Sequence, residues 1–248
     1  MSKFFFPDVR ERLDQEELMD RPDVSLEKLE RTIRQFDLLN RLFSAAVPQF
    51  RRFILPRLLL EPDRVWTFLD LGAGGGDIDR ALVRLCRKLG LKVRFIALDL
   101  DERILPWARQ LCSAYPEIEV VRGSAFDLSL YRESTSPLGG PPDWILSNHM
   151  LHHLSYPDVL RVVQESEATA TFGYLLNDLR RSSWAHAGYT IFTGLFIHRS
   201  LAFIDGRLSI RRGFTPAELL QALTSLDPRV RPQVRTAEPA RVVLWREK

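Results

Sequence analysis

One segment, Phe68-Leu69-Asp70-Leu71-Gly72-Ala73-Gly74-Gly75-Gly76-Asp77, restricts what this chain can fold into more than any other. An apolar strand pattern runs into glycines and straight out into a helical pattern. Glycine turns the backbone through positive φ at little cost and leaves no Cβ in the way of a ligand. A strand, a glycine turn and a helix packed back on the strand open a parallel α/β sheet. The next hundred residues keep that rhythm. Strand patterns at Val65–Leu71, Val93–Asp99, Glu119–Arg122, Trp144–Asn148 and Phe172–Asn177 alternate with helical patterns at Asp77–Leu89, Glu102–Ala114 and Tyr156–Glu167. Ser155 and Asp158 are spaced as a capping box, and Thr215, Pro216 and Glu218 mark a further helix start. Val230–Thr236 and Arg241–Trp245, around Glu238-Pro239, read as two closing strands joined by a tight turn.

Several cofactor classes use such a loop, and its charges separate them. A dinucleotide loop holds an anionic pyrophosphate on amide N–H groups at a helix start. Here Asp70 and Asp77 bracket the loop and repel that anion, and Asp77 stands where the last glycine of G-x-G-x-x-G belongs. The lysine of a Walker loop is missing. Carboxylates suit instead a cofactor bearing an ammonium and a sulfonium, the charges of S-adenosylmethionine. The second strand ends Leu98-Asp99-Leu100-Asp101. An acid at that tip accepts both ribose hydroxyls, so Asp99 is assigned to the ribose and Asp101 to the N-cap of the next helix. Past the third strand, Gly123-Ser124-Ala125-Phe126-Asp127 forms a short loop. Ser124 can hydrogen-bond an adenine edge there, and Phe126 either packs on the ring or fills core.

The chain has 248 residues, 45% hydrophobic and 27% charged, enough for a sizeable core without disulfides or metals to staple it. Residues 1–62 read as a helical extension, with Ser25 as a helix N-cap and apolar positions at Leu26, Leu29, Ile33, Phe36 and Leu39. Residues 63–248 form the cofactor-binding domain, with a cap insertion at 179–210. The apolar stretch Ala185–Ile204 is broken by Gly188, Gly194, His198 and Arg199, short of the about 20 residues of a membrane span. The N-terminus lacks the pattern of a secretory signal. Cys86 and Cys112 sit singly in helical patterns, as buried thiols in a reducing cytoplasm rather than a disulfide or zinc framework. A net charge of +3 without a dense Lys/Arg block disfavours nucleic acid as partner.

Taken together, Asp70-x-Gly72-x-Gly74-x-Gly76, Asp99, Ser124-Ala125-Phe126-Asp127-Leu128 and Ser147-Asn148-His149-Met150-Leu151-His152-His153-Leu154 carry a family likeness. The chain resembles the class I S-adenosylmethionine-dependent methyltransferases, nearest to the small-molecule branch of ubiquinone- and menaquinone-biosynthesis-like enzymes. The resemblance covers roughly Val65 to Asp178 plus the closing hairpin, and Ser124 replaces the family's usual adenine-side acid. It implies an α/β, Rossmann-like methyltransferase fold: a mainly parallel seven-stranded sheet with a C-terminal antiparallel hairpin, plus the helical N-terminal extension and cap. It also implies cofactor contacts from Asp70, Gly72, Ala73, Gly74, Gly76, Asp99, Leu100, Ser124, Ala125, Phe126 and Asn148.

Methyl transfer is an in-line displacement, so alignment and desolvation come first and a base is needed only if the acceptor must lose a proton. His149, His152 and His153 follow strand four and Asp178 follows strand five, on neighbouring strand ends; they are the catalytic candidates, His149 first. The alternative for the histidines is to bond backbone and cap a turn. Asn177 and Asp178 without a third ligand make a poor magnesium site, and no metal is expected. Trp184, Tyr189, Phe192, Phe196 and Phe203, with His186, belong to a segment that either lines an apolar acceptor pocket or packs its own core. The Asn-Pro-Pro-Tyr motif of amino-methylating nucleic-acid enzymes is replaced by Asn148-His149-Met150-Leu151. The expectation is O- or C-methylation of a small apolar or aromatic acceptor. The alternatives are an RNA-modifying methyltransferase and a cofactor-binding protein without turnover.

Overall fold

The computed structural model describes residues 4–197 and 200–248, so His198 and Arg199 lie outside the described residues. Helices α1 (Leu26–Phe43), α2 (Ala46–Phe53) and α3 (Leu55–Leu58) precede strand β1 (Val65–Leu71). Alternation follows: α4 (Asp77–Lys88), β2 (Lys92–Asp99), α5 (Leu105–Cys112), β3 (Ile118–Arg122), β4 (Trp144–Asn148), α6 (Tyr156–Thr169) and β5 (Gly173–Leu179). Two helices, α7 (Ser183–Phe196) and α8 (Ala202–Arg212), interrupt it. Helix α9 (Pro216–Ala222) then leads to the hairpin of β6 (Gln233–Ala237) and β7 (Arg241–Glu247).

The seven strands lie in the order β3-β2-β1-β4-β5-β7-β6, parallel except for β7, which runs antiparallel to both neighbours. This is the α/β sheet expected, hairpin included. Each strand buries alternate side chains on opposite faces. Trp66, Phe68, Phe95, Trp144 and Trp245 face one side, against Phe50, Ile54 and Leu58 of the N-terminal helices and Leu82, Val83 and Cys86 of α4. Leu69, Leu71, Ile145, Leu176 and Leu244 face the other, against Val159, Val162 and Val163 of α6 and Leu219 of α9. Gly173 makes one close contact possible: a Cβ there would meet the Arg246 carbonyl oxygen at 2.0 Å and the Trp144 ring at 3.0 Å. With only hydrogen at that point, Trp144 and Trp245 stack at 5.5 Å across β5.

The same alternation sorts the strand ends. Asp70, Asn148 and Asn177 share the parity of Phe68, Leu146 and Leu175 and turn toward the N-terminal helices. Asp178 has the parity of Leu176 and turns to the opposite face.

Ahead of α1, an extended strap is held by buried and half-buried polar side chains. Arg181 donates to the Val9 carbonyl, Arg212 to that of Gln15, and Arg103 to those of Met19 and Arg21. The Asp205 carboxylate accepts from the N–H groups of Leu18 and Met19. Among the described residues no helix is long and apolar enough to cross a membrane.

Of two capping expectations, the first holds in position and the second is corrected. Ser25 occupies the N-cap of α1, but its side chain makes no cap hydrogen bond. The N-cap of α5 is Ile104, not Asp101; Asp101 instead accepts from the backbone and guanidinium of Arg103, closing a turn before the helix. The Thr215 capping box is complete: Glu218 N–H donates to the hydroxyl and Thr215 N–H to the Glu218 carboxylate at 2.7 Å. Thr215→Ala is therefore expected to lower unfolding stability by about 1 kcal/mol, with Ser25→Ala close to neutral. Urea midpoints of the two variants check this.

Candidate active site

The carboxyl ends of β1, β2, β4 and β5 come to one edge of the sheet, where an open α/β fold binds its ligand. At the tip of β1 the chain turns through Gly72, Gly74 and Gly76, with φ of +69°, +55° and +66°. Those are left-handed values that side chains with a Cβ resist. The N–H groups of Gly72 and Ala73 both donate to the Leu98 carbonyl, which locks the loop to β2. Gly74 N–H donates to Asp99 Oδ2 at 2.8 Å, while Asp99 Oδ1 accepts from Asp101 N–H. Asp99 thus stands against the glycine loop from the neighbouring strand, and burial raises its carboxyl above the usual range. A Cβ at Gly74 would meet nothing within 4 Å, so the loop faces open space there. A small cavity of about 20 Å³, room for one water, lies under the loop, bounded in part by Ala46, Asp70, Ile78, Asn148 and Asn177.

Asp70 is only 3% exposed and Asp79 fully buried, and their carboxyls face each other under the loop. Apart from that contact, Asp70 Oδ1 and both Asp79 oxygens are without hydrogen-bond partners. Burial first, then the charge of Asp79, raises Asp70 well above the normal carboxyl range; burial carries Asp79 to about 7, against the hydrogen bond from Asp70.

Helix α1 lies over this loop. Ile33 Cγ2 comes within 2.8 Å of where a Gly75 Cβ would stand. Asp37 accepts from Arg80 at 3.1 Å, and Asn40 donates to Asp77 at 3.1 Å. Arg80 also donates to the Gly75 carbonyl.

The remaining cofactor candidates divide. Leu100 is 63% exposed beside Asp99. Ser124 uses its hydroxyl to accept from Phe126 N–H at 3.2 Å. Phe126 packs against the face holding α6, with the Arg161 guanidinium 5.1 Å from its ring centroid. Ala125 packs on the same cluster. Asn148 Oδ1 accepts from Asn177 Nδ2 at 2.6 Å, and Asn177 also donates to the Ser44 carbonyl.

The catalytic candidates separate into two groups. His149, at φ +64°, is held by its N–H to the Asn177 carbonyl, and Arg241 hydrogen-bonds its Nε2. Burial and the Arg241 charge push the His149 ring well below its ordinary pKa, so it is neutral. Arg241, the first residue of β7, also donates to the Phe43 carbonyl, and Phe43 meets Phe192 edge-on at 5.0 Å. His152, His153 and Asp178 point elsewhere. Asp178 accepts from His152 Nδ1 at 2.7 Å and from its backbone N–H at 2.9 Å. His152 Nε2 lies 3.3 Å from the Glu17 carboxylate of the strap, and His153 Nδ1 lies 3.1 Å from Asp20. Burial disfavours the charged His152 ring, but Asp178 and Glu17 outweigh it and raise its pKa to about 9.

Of the aromatic set after β5, Phe192 and Tyr189 pack inward beside Phe36 and Phe43, whereas Trp184 and Phe196 are 73% and 64% exposed. His186 is buried on the Phe5 carbonyl and receives Arg207. Arg241, Asp79, Glu17 and Asn40 were missing from the sequence reading. Only Asp79 carried a signal, as an acid two residues inside a helix that starts at a glycine loop.

Comparison with known proteins gives a consistent picture. Residues 68–170 match the family model described as a methyltransferase domain. An rRNA methyltransferase of Streptomyces thermotolerans is 32% identical over 99 residues, 37% of this chain and 31% of that protein. The matches span about a third of the length of the curated relatives. Among solved structures, the plantazolicin methyltransferase BpumL in complex with SAH aligns with a TM-score of 0.59 at 13% identity, covering 92% of this chain and 91% of that one. The pyocyanin biosynthetic protein PhzM aligns with a TM-score of 0.56 at 18% identity, covering 90% of this chain and 60% of that one. These likenesses establish the fold.

The carboxyl pair has a pH consequence. A carboxyl whose pKa is raised on folding contributes stability below its unfolded value, about 4, and loses it as pH rises through its folded value, about 7 for Asp79. Wild type should therefore lose stability relative to Asp79→Asn as pH rises from about 4 to about 7, with the difference levelling off above about pH 8. Melting temperatures of both proteins across that range test this; a constant difference would contradict the paired carboxyls.

Proposed function

We propose, from a methyltransferase domain seated on a class I Rossmann-like sheet, that this protein transfers the methyl group of S-adenosylmethionine to a small apolar or aromatic acceptor, by O- or C-methylation. The observation that carries the reading is the glycine loop with Asp99 against it. Three left-handed glycines leave open space over Gly74, and an acid from β2 stands at hydrogen-bond distance from the loop. The residues fit the cofactor's chemistry. Asp99 offers its carboxylate to ribose hydroxyls, and the buried Asp70–Asp79 pair, short of hydrogen-bond partners and raised by burial and neighbouring negative charge, is the acidic end that a cationic group would relieve. Gly72, Ala73 and Gly76 shape the loop, Asn148 borders the neighbouring cavity, and Leu100, Ser124, Ala125 and Phe126 are assigned to the adenosine side.

The cofactor supplies an activated methyl group, whose bond to sulfur breaks as the acceptor's electron pair takes it. The chain's own task is to align the acceptor and keep water out. His149, Arg241, Asn177, Phe43 and Phe192 gather at the ends of β4, β5 and β7. There His149 is assigned as the base. Its ring is neutral, so a nitrogen lone pair takes the acceptor's proton once the acceptor displaces Arg241 from Nε2. Arg241 is then placed to hold the oxygen as it becomes negative. Helices α1 and α7 cap the site, α1 over the loop and α7 through Phe192 on Phe43. His152, His153 and Asp178 stand outside this step.

A second reading, methylation of RNA, is favoured by the rRNA methyltransferase among the relatives. Against it, Arg80, Arg181, Arg212 and Arg241 are buried on internal carbonyls and carboxylates, which removes them from any phosphate-binding face.

Three outcomes follow. S-adenosylmethionine and its demethylated product should raise the thermal midpoint by ligand linkage, while NAD and ATP should not. Asp99→Ala should weaken cofactor binding by about 2–3 kcal/mol, the worth of one or two charge-assisted hydrogen bonds, whereas Asp101→Ala leaves affinity near wild type; calorimetry separates them. His149→Ala should lower kcat with cofactor affinity unchanged. A thermal scan in which NAD stabilises and S-adenosylmethionine does not would sink the reading.

A further inference from the structure

Away from the strand-end cleft, Glu17, His152 and His153 bring three ligand atoms within 4.8 Å of one another. Glu17 belongs to the strap, and the two histidines to the loop after β4. We propose that this trio is a binding site for a first-row divalent transition metal of the zinc class, tying the strap to the sheet. The assignment does not depend on methyl transfer.

The geometry argues it in three steps. First, the distances. A tetrahedral zinc with metal–nitrogen bonds of about 2.0–2.1 Å sets neighbouring ligand atoms about 3.3–3.5 Å apart. Glu17 Oε1 lies 3.3 Å from His152 Nε2 and 3.9 Å from His153 Nε2. Small side-chain adjustments complete the set. Second, the supporting contacts. A metal-bound histidine characteristically gives its other ring N–H to a carboxylate, which fixes the tautomer and aims the free nitrogen. Both histidines have that partner: His152 Nδ1 on Asp178 at 2.7 Å, His153 Nδ1 on Asp20 at 3.1 Å. Each Nε2 is thereby directed at the same Glu17 oxygen. Third, charge and access. Glu17, Asp20 and Asp178 bring three carboxylates around two imidazoles, a set that a divalent cation balances well. The His152 and Glu17 side chains are 3% and 2% exposed, but His153 is 29% exposed and opens the site to solvent.

Two imidazoles and one carboxylate select against the hard cations magnesium and calcium, which take oxygen ligands. The strap leads directly into α1, and α1 covers the glycine loop through Ile33, Asp37 and Asn40. A metal on Glu17 therefore fastens the segment that closes the cofactor loop.

The test uses the full chain stripped with a chelator and dialysed. Zinc titration by calorimetry should give one equivalent bound, with a rise in melting temperature that magnesium does not reproduce. His153→Gln, at the more exposed ligand, and Glu17→Gln should each bind zinc about tenfold or more weakly, with circular dichroism confirming that both remain folded. His153→Gln keeps the question open to decision if Glu17→Gln does not fold. Absence of zinc binding to wild type would overturn the proposal, leaving His152 as a proton-bearing clamp between Asp178 and Glu17. Stoichiometric binding unchanged in His153→Gln would overturn it as well. Thermal stabilisation by S-adenosylmethionine in the zinc-free protein is a separate readout, so failure of the metal site and failure of the functional reading are distinguishable.

Discussion

Parallel strands deliver their carboxyl ends to one edge, and the two-residue period of each strand decides which side chains reach which face there. Everything at the candidate site depends on that constraint. Asp70, Asn148 and Asn177 end their strands with the parity that points toward the N-terminal helices, while Asp178, one residue on, points to the opposite face. A single step along β5 thus separates the two groups of polar residues. Asn177 joins Asn148 and the Ser44 carbonyl on one side; Asp178 joins His152 on the other. A one-residue slip in register would exchange them and leave buried carboxyls without their partners.

The N-terminal segment packs directly on the candidate site. Helix α1 reaches the glycine loop with Ile33, Asp37 and Asn40, and the end of α1 receives Arg241 through the Phe43 carbonyl. The strap before it is fixed by arginines whose hydrogen bonds go to backbone carbonyls. Those guanidinium groups are taken up by internal carbonyls and are not offered to a partner, while the net charge of +3 reflects 35 Lys and Arg against 32 Asp and Glu. Such charged hydrogen bonds in low-dielectric surroundings make the strap costly to detach.

Much of this was legible in the residues, because the signals were local. The strands β1 and β4 and the start of α4 fall where alternation and glycines place them, and the Thr215 and Ser155 caps form as spaced. Interactions between distant segments left no such trace. Asp70 reads in sequence as a charge beside a loop; burial beside Asp79 raises its carboxyl well above the ordinary range. His149, His152 and His153 read as one cluster, yet the left-handed turn at His149 aims it at Arg241 while the others face Glu17 and Asp20. Arg241 is the first residue of a strand nearly a hundred positions away from His149, and Glu17 lies in a strap with no periodic pattern. Asp101 resembled a helix cap because the turn before α5 could not be told from the helix itself.

The central claim is that the loop, Asp99 and the His149–Arg241 pair together serve methyl transfer to a small acceptor. It is tested most directly by turnover of S-adenosylmethionine labelled in its methyl group against a panel of phenols, quinols and RNA. The account predicts label in a phenol or quinol, lost in His149→Ala while cofactor binding persists. Label in RNA alone, or cofactor binding with no transfer to any small acceptor, would contradict it.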